Sequence, residues 1–231
     1  MRKTDGSPAK RLGDGAAIAL SPDGKWVIAV VNVPRQTILL PTGAGETRRL
    51  ERPGIEDNGD DSWFADGTRV IFTGRESGKL ARTFTQDISG GAPRAVTPEG
   101  ITGTIVSPDG TLLLATNTEG RKLLFPLAGG APPELRGLAD DDRVMRWAAD
   151  GHSLYVYKRG EMPLRIYRLN YSSGARELLK VITPSDPAGM FAPPHVFITP
   201  DGKSYLYQFQ RDLSALYLID GLIPRRGFFG F

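Results

Sequence analysis

The sequence contains no cysteine, which removes disulfide scaffolds, thiolate zinc sites and thiol nucleophiles from consideration. It has two histidines, His152 and His195, so the side chain most used for acid–base chemistry near neutral pH is scarce. An excess of one charge is also lacking. Lys and Arg number 29 against 26 Asp and Glu, a net charge of +3, and so even a balance is no footprint of a nucleic-acid binder. Long apolar runs are missing. Trp26–Val31 and Leu112–Ala115 fall far short of the ~20 residues a membrane-spanning helix needs. Met1-Arg2-Lys3 is followed by polar chain to Gly15 and not by the apolar segment of a secretory signal. As it stands the chain reads as soluble and cytoplasmic. An extracytoplasmic place requires a signal or membrane segment from a parent protein.

What the sequence has is punctuation: 28 glycines and 18 prolines among 231 residues. Ser21-Pro22-Asp23-Gly24 returns as Ser107-Pro108-Asp109-Gly110 and as Thr199-Pro200-Asp201-Gly202, with Ala65-Asp66-Gly67 and Ala149-Asp150-Gly151 between them. The aspartates are 43, 43, 41 and 51 residues apart, close to the ~40–45-residue period of four-stranded propeller blades. Leu20, Trp63, Val106, Trp147 and Ile198 stand three residues before each Asp. Val27, Val70, Leu113, Leu154 and Tyr205 stand three after each Gly, followed by Ile28, Ile71, Leu114, Tyr155 and Leu206. Each unit reads as strand, tight turn, strand.

The turn chemistry is explicit. Pro pre-sets φ, Asp accepts from nearby backbone N–H groups, and Gly adopts the left-handed conformation at low cost. These aspartates are therefore turn formers and not metal ligands. A Gly-rich turn follows each hairpin at Thr42–Gly45, Ser89–Gly91, Ala128–Gly130 and Tyr171–Gly174, flanked by short strands such as Leu80–Asp87 and Pro93–Val96. Four strands per unit make a blade. The expected fold is an all-β propeller of about five four-stranded antiparallel blades, either a closed five-blade ring or part of a larger propeller. The units are 13–50, 51–98, 99–137, 138–180 and 181–222 of one domain over 1–222, with a tail over 223–231. Residues 1–12 are a partial blade, or Pro8–Leu12 closes the ring as its outer strand.

These repeats resemble the WD-like β-propeller repeat of the TolB type, on Ser21-Pro22-Asp23-Gly24-Lys25-Trp26-Val27-Ile28-Ala29. The likeness covers about Asp5 to Asp220 and departs at Ala65 and Ala149, where Ser-Pro is lost. More narrowly, Ser204–Tyr207 through Leu213–Leu222, with Arg2–Ala9, resembles the C-terminal region of bacterial serine/threonine protein kinases that carry propeller repeats. That resemblance implies a kinase domain upstream. No phosphate loop, His-Arg-Asp loop or Asp-Phe-Gly stands in this chain.

Little chemistry is visible. His152 occupies a polar strand-start slot, and His195 opens an inner strand that can face the ring axis. No Gly-x-Ser-x-Gly is present. The acidic runs Glu56–Asp61 and Asp140–Asp142 fall between units. Oxygen-rich loops can hold calcium, but no Glu closes a twelve-residue loop, so solvated interblade loops are expected and neither metal nor cofactor is assigned. Arg35, Arg75, Lys79, Arg121, Arg159 and Arg211 gather near the second-to-third strand loops. In a propeller these share a rim with Asp60, Asp61, Asp141 and Asp142. The Pro-rich stretch Ile182–Pro194, with Met190 and Phe191, lengthens the last interblade connection and can shape a binding mouth.

The leading expectation is a non-catalytic sensor or scaffold propeller that recognises a protein or small ligand through this rim, as the C-terminal part of a kinase-like protein. One rival is a TolB-like envelope accessory exported by an upstream signal. Another is a propeller hydrolase or lyase with an axial site drawn from Asp60, Asp61, Asp142, Arg143 and His195.

Overall fold

In the computed structural model the described residues are 1, 5–33, 35–57, 60–183 and 195–208. Among them there are strands and turns but no helix. The first sheet runs in chain order through β1 (Ala16–Leu20), β2 (Trp26–Asn32), β3 (Arg35–Pro41) and β4 (Arg48–Leu50). In the second, β5 (Ile55–Asp57) and β6 (Ser62–Trp63) both pair with β7 (Arg69–Glu76), followed by β8 (Arg82–Asp87) and β9 (Arg94–Ala95). The third holds β10 (Thr102–Val106), β11 (Leu112–Thr116) and β12 (Lys122–Pro126). The fourth is β13 (Asp142–Trp147), β14 (Ser153–Lys158), β15 (Leu164–Asn170) and β16 (Arg176–Ile182), and the fifth is β17 (His195–Ile198) with β18 (Tyr205–Gln208). Within each sheet neighbouring strands are antiparallel. The first strands touch in succession: β1 with β6, β6 with β10, β10 with β13, β13 with β17. The sheets are therefore the blades of a β-propeller, with their first strands innermost.

Adjacent apolar columns after each turn serve different neighbours. Ile28 of the first blade and Val70 of the second share one cluster. Ile71 of the second joins Leu113 of the third. Leu114 of the third joins Leu154 of the fourth, and Tyr155 of the fourth joins Ile198 of the fifth. Successive strand residues point to opposite faces, and each blade is covered on both. That is why these strands carry consecutive apolar residues instead of alternating with polar ones.

The five Asp-Gly turns are built alike. Gly24, Gly67, Gly110, Gly151 and Gly202 have φ between 68° and 75°, a region that glycine enters at no steric cost. Each donates its N–H to the carbonyl three residues back. Asp23, Asp66, Asp109, Asp150 and Asp201 each accept from the N–H two residues on. The Ser of the motif adds a further clasp: Ser21 Oγ and Ser107 Oγ accept from Trp26 N and Leu112 N at 2.9 Å. Where Ser is lost, Arg69 binds Asp66, and Ser153 and Arg168 bind Asp150.

Burial opposes ionisation of Asp150, but hydrogen bonds from Arg168, Ser153 and the His152 and Ser153 N–H groups outweigh it and hold its carboxyl at about 2, below the ordinary 3.8. A depressed carboxyl pKa contributes stability that is complete above the unfolded value and is lost as pH falls through the folded one. The stability difference between wild type and Asp150→Asn, read from urea titrations, should be largest above pH ~4 and shrink toward pH ~2. A difference that stays constant across this window contradicts the assignment.

The third blade departs from the four-strand expectation. No outer strand is formed between Ala131 and Gly137; Pro132 and Pro133 lack the N–H groups a ladder needs. Among the described residues Pro8–Leu12 pairs with no strand either. Leu12 packs against Val27, Ala29, Ile38 and Leu40 on the outer face of the first blade. Residues 184–194, including Met190 and Phe191, and residues 209–231, including Arg211 and the tail, lie outside the described residues.

Candidate functional site

In the first four blades the Asp-Gly and Gly-rich turns lie at one end, and the second-to-third connections and the described interblade crossovers lie together at the other. Arg35 opens β3 opposite Asn32 and is exposed. Arg75 lies within β7 and reaches Glu56 at 2.5 Å. Lys79 and Arg82 both bind Glu76, and Arg121 meets Glu119 at 3.3 Å. Lys158 binds Asp141 at 3.1 Å and holds its carboxyl below the usual range. Arg159 is exposed. Most rim cations thus face a rim carboxylate. Exposed pairs of this kind contribute at most about 1 kcal/mol and exchange partners readily.

The acidic runs are only in part the solvated loops expected from sequence: Glu56, Asp60, Asp140 and Asp141 are exposed. Ile55–Asp57 is itself a strand, extending the inner edge of the second blade along Glu76, Arg75 and Gly74 of β7. Asp60 is exposed and accepts from Thr73 Oγ1 at 3.4 Å. Asp61 and Asp142 are buried, with side chains 0% exposed. Each is clasped by an arginine whose place in sequence gives no hint of the pairing. Arg52 binds Asp61, Thr37 Oγ1 at 3.2 Å and Gln86 Oε1 at 3.3 Å, and its guanidinium lies 3.4 Å from the Phe72 ring centre. Arg176 binds Asp142 and also the Gly137 carbonyl at 2.7 Å. The reason is the path of the crossovers. Glu51–Arg52 runs against Gln86, whose Nε2 donates to the Glu51 carbonyl, and Arg136–Ala139 runs against the turn before β16, where Arg136 N donates to Tyr171 O.

Two clefts open on this rim. One, of about 360 Å³, lies between the first and second blades, lined by Arg35, Gln36, Arg49, Leu50, Arg52 and Ile55 among others. The other, of about 200 Å³, lies between the third and fourth, lined by Arg121, Lys122, Leu135, Leu138, Ala139 and Asp140. Of the residues singled out from sequence, Arg35 and Glu56 line the first cleft and Arg121 and Asp140 the second. Among the described residues no three His, Asp or Glu side chains gather in a metal-binding group. Arg143 is exposed on β13 and His195 begins β17 opposite Gln208.

No sequence family matches the chain and no curated protein matches it significantly. Solved structures do. Putative TolB from Agrobacterium tumefaciens aligns with a TM-score of 0.57 at 17% identity, covering 85% of this chain and 76% of that one. TolB from Acinetobacter baumannii aligns at 0.56 and 17%, covering 83% and 50%. In fold, the chain is a TolB-like β-propeller. Oligogalacturonate lyase from Vibrio parahaemolyticus also aligns, at 0.57 and 16%, covering 79% and 55%. The chain spans about half the length of the last two. These likenesses concern the propeller and add nothing to the kinase-tail resemblance.

The clefts' other residues, Gln36, Arg49, Arg52, Leu135 and Leu138, were missed from sequence. One signal was available: Arg35 and Arg121 each stand eleven residues after a turn glycine, Gly24 and Gly110.

Proposed function

We propose that this chain is a non-catalytic recognition module, a rigid TolB-like propeller that binds a partner through the rim of crossovers and second-to-third strand loops. The observation that carries the reading is that both clefts open on that rim. The carboxylates an axial enzyme would draw on support it further, since Asp61 and Asp142 are engaged by Arg52 and Arg176. Of the parents considered from sequence, an envelope accessory of the TolB kind accords better with the structural likenesses than a kinase sensor does. Under this reading the chain works outside the cytoplasm. Function in rigid folds concentrates on loops held by the scaffold, and the mechanism is recognition without bond chemistry.

The test is photo-crosslinking in the native cell, with a photoreactive residue at Lys79 or Arg159 on the rim, or at Thr68 or Lys203 on the opposite one. Adducts from the rim positions alone are expected. Adducts confined to Thr68 and Lys203 would place the partner on the wrong end and overturn the reading.

A further inference from the structure

We infer that the two interblade clefts are a repeated docking site for an acidic, extended peptide segment of a partner protein. This rests on the rim-binding reading and gives it an address and a ligand chemistry.

The clefts are copies of one structure. Arg35 and Arg121 are 86 residues apart, as are Gly24 and Gly110. The architecture around them repeats over two blades. Trp63 Nε1 donates to Ala19 O and Trp147 Nε1 to Ile105 O, so the second and fourth blades grip the first and third in the same way. Both clefts thus lie at junctions that a tryptophan holds.

Each cleft lies where a third strand has lost its outer neighbour. β4 pairs with Thr37, Ile38 and Leu39 of β3, which among the described residues leaves Arg35 and Gln36 with no strand on that side. Among the described residues β12 has no outer strand. Such an edge accepts an added strand through main-chain hydrogen bonds, while pockets beside it select alternate side chains. The pockets are at hand. Leu50 and Ile55 line the first cleft and Leu135 and Leu138 the second, so a bound strand sets apolar side chains against them. Volumes of about 360 and 200 Å³ suit a few side chains and not a large cofactor.

Charge selects the remaining side chains. Among the described residues Arg35 has no carboxylate within ion-pair distance, whereas Glu51 and Glu56 of the same cleft are taken by Arg49 and Arg75. Arg121 meets Glu119 only as a highly exposed pair, which an incoming carboxylate can displace. Lys122 stands beside it, its Nζ on the Asp140 carbonyl at 3.5 Å. A guanidinium fork fits a carboxylate with two parallel hydrogen bonds. A nucleic acid would need a continuous basic stripe, and the rim's paired charges do not form one. Two equivalent clefts on one rim also suit a partner with two acidic segments, through effective concentration.

The experiment uses the full chain and a fluorescein-labelled peptide of alternating leucine and glutamate, with glutamine replacing glutamate in the control. Anisotropy should show the glutamate peptide binding at least ~tenfold more tightly than the control. The double variant Arg35→Gln with Arg121→Gln should lose that preference while keeping the wild-type melting temperature. Bound peptide should slow amide exchange at Arg35 and Gln36. Equal binding of both peptides, or an unaffected double variant, overturns the proposal. Full displacement by citrate with no protection at Gln36 also overturns it and marks a small-anion site. If crosslinks from Lys79 persist in the double variant, the rim reading stands and only the clefts are removed from it.

Discussion

Replacing Arg52 with methionine is expected to destabilise the protein by about 3–5 kcal/mol, the usual result of removing one partner from a buried ion pair. The side chains of Arg52 and Asp61 are 5% and 0% exposed. Without the guanidinium, the buried Asp61 carboxylate loses its cation, and ionisation there carries a large desolvation penalty. The same substitution removes the donors to Thr37 and Gln86 and so loosens the junction of the first two blades. A domain of this size shifts its melting temperature by about 2–4 °C per kcal/mol, so calorimetry should show a drop of roughly 10 °C. Adding Asp61→Leu to Arg52→Met should recover part of the loss, because a well-packed apolar pair often replaces a buried ion pair without net cost. A double variant as unstable as the sum of the singles would show that Arg52 acts through packing alone. Arg75→Ala, which breaks the exposed pair with Glu56, should stay within about 0.5 kcal/mol of wild type.

Gly103→Ala should be nearly as damaging although it adds one methyl group. A Cβ at Gly103 would lie 2.3 Å from the Leu114 carbonyl oxygen and 2.9 Å from the Ala115 Cα. Both are backbone atoms of β11 and cannot swing aside. The register of β10 on β11 shifts between Thr102 and Ile105, and the bulge is what brings the strands so close. The backbone of Gly103 is also bound on its other side: its N–H donates to Thr83 Oγ1 at 3.0 Å and its carbonyl accepts from the same hydroxyl at 3.1 Å. Thr83 is fully buried and its own N–H donates to Thr97 Oγ1. Forcing β10 outward breaks this tie between the second and third blades. Overpacking costs about 1–3 kcal/mol, and the broken buried hydrogen bonds add about 1–3 kcal/mol more. Denaturant titration of Gly103→Ala beside Gly43→Ala, where no atom lies within 4 Å of a new Cβ, separates the clash from the general effect of replacing glycine. Equal, small losses in the two would mean that the strands separate freely.

The rim illustrates why charge patterns were less legible than the fold. The aspartates of both acidic runs read as solvated loops, because runs of acids between strands usually are. Asp61 and Asp142 are buried instead, since Arg52 and Arg176 come over them from crossovers and an outer strand that no local pattern places. Arg176 is 34 residues from Asp142, and the pairing follows from the Arg136–Ala139 path. The outer strand expected in the third blade failed on a local signal that was present, Pro132-Pro133, outweighed by the periodicity of the other blades. Arg35 and Arg121 were visible as rim arginines. That they line matching clefts was not, because a cleft is a gap between two segments that diverge.

The sequence by itself determined the turns, the blade repeat and the all-β fold. The turn interactions close within about five residues, and the two apolar columns after each Gly need only a strand's alternation to reach opposite neighbours. The tertiary structure alone decided which charges are buried, where outer strands are absent and where the rim opens. Those features depend on how one blade's crossover lies against the next blade. Its partners are tens of residues away, and their distances are set by packing and not by spacing along the chain.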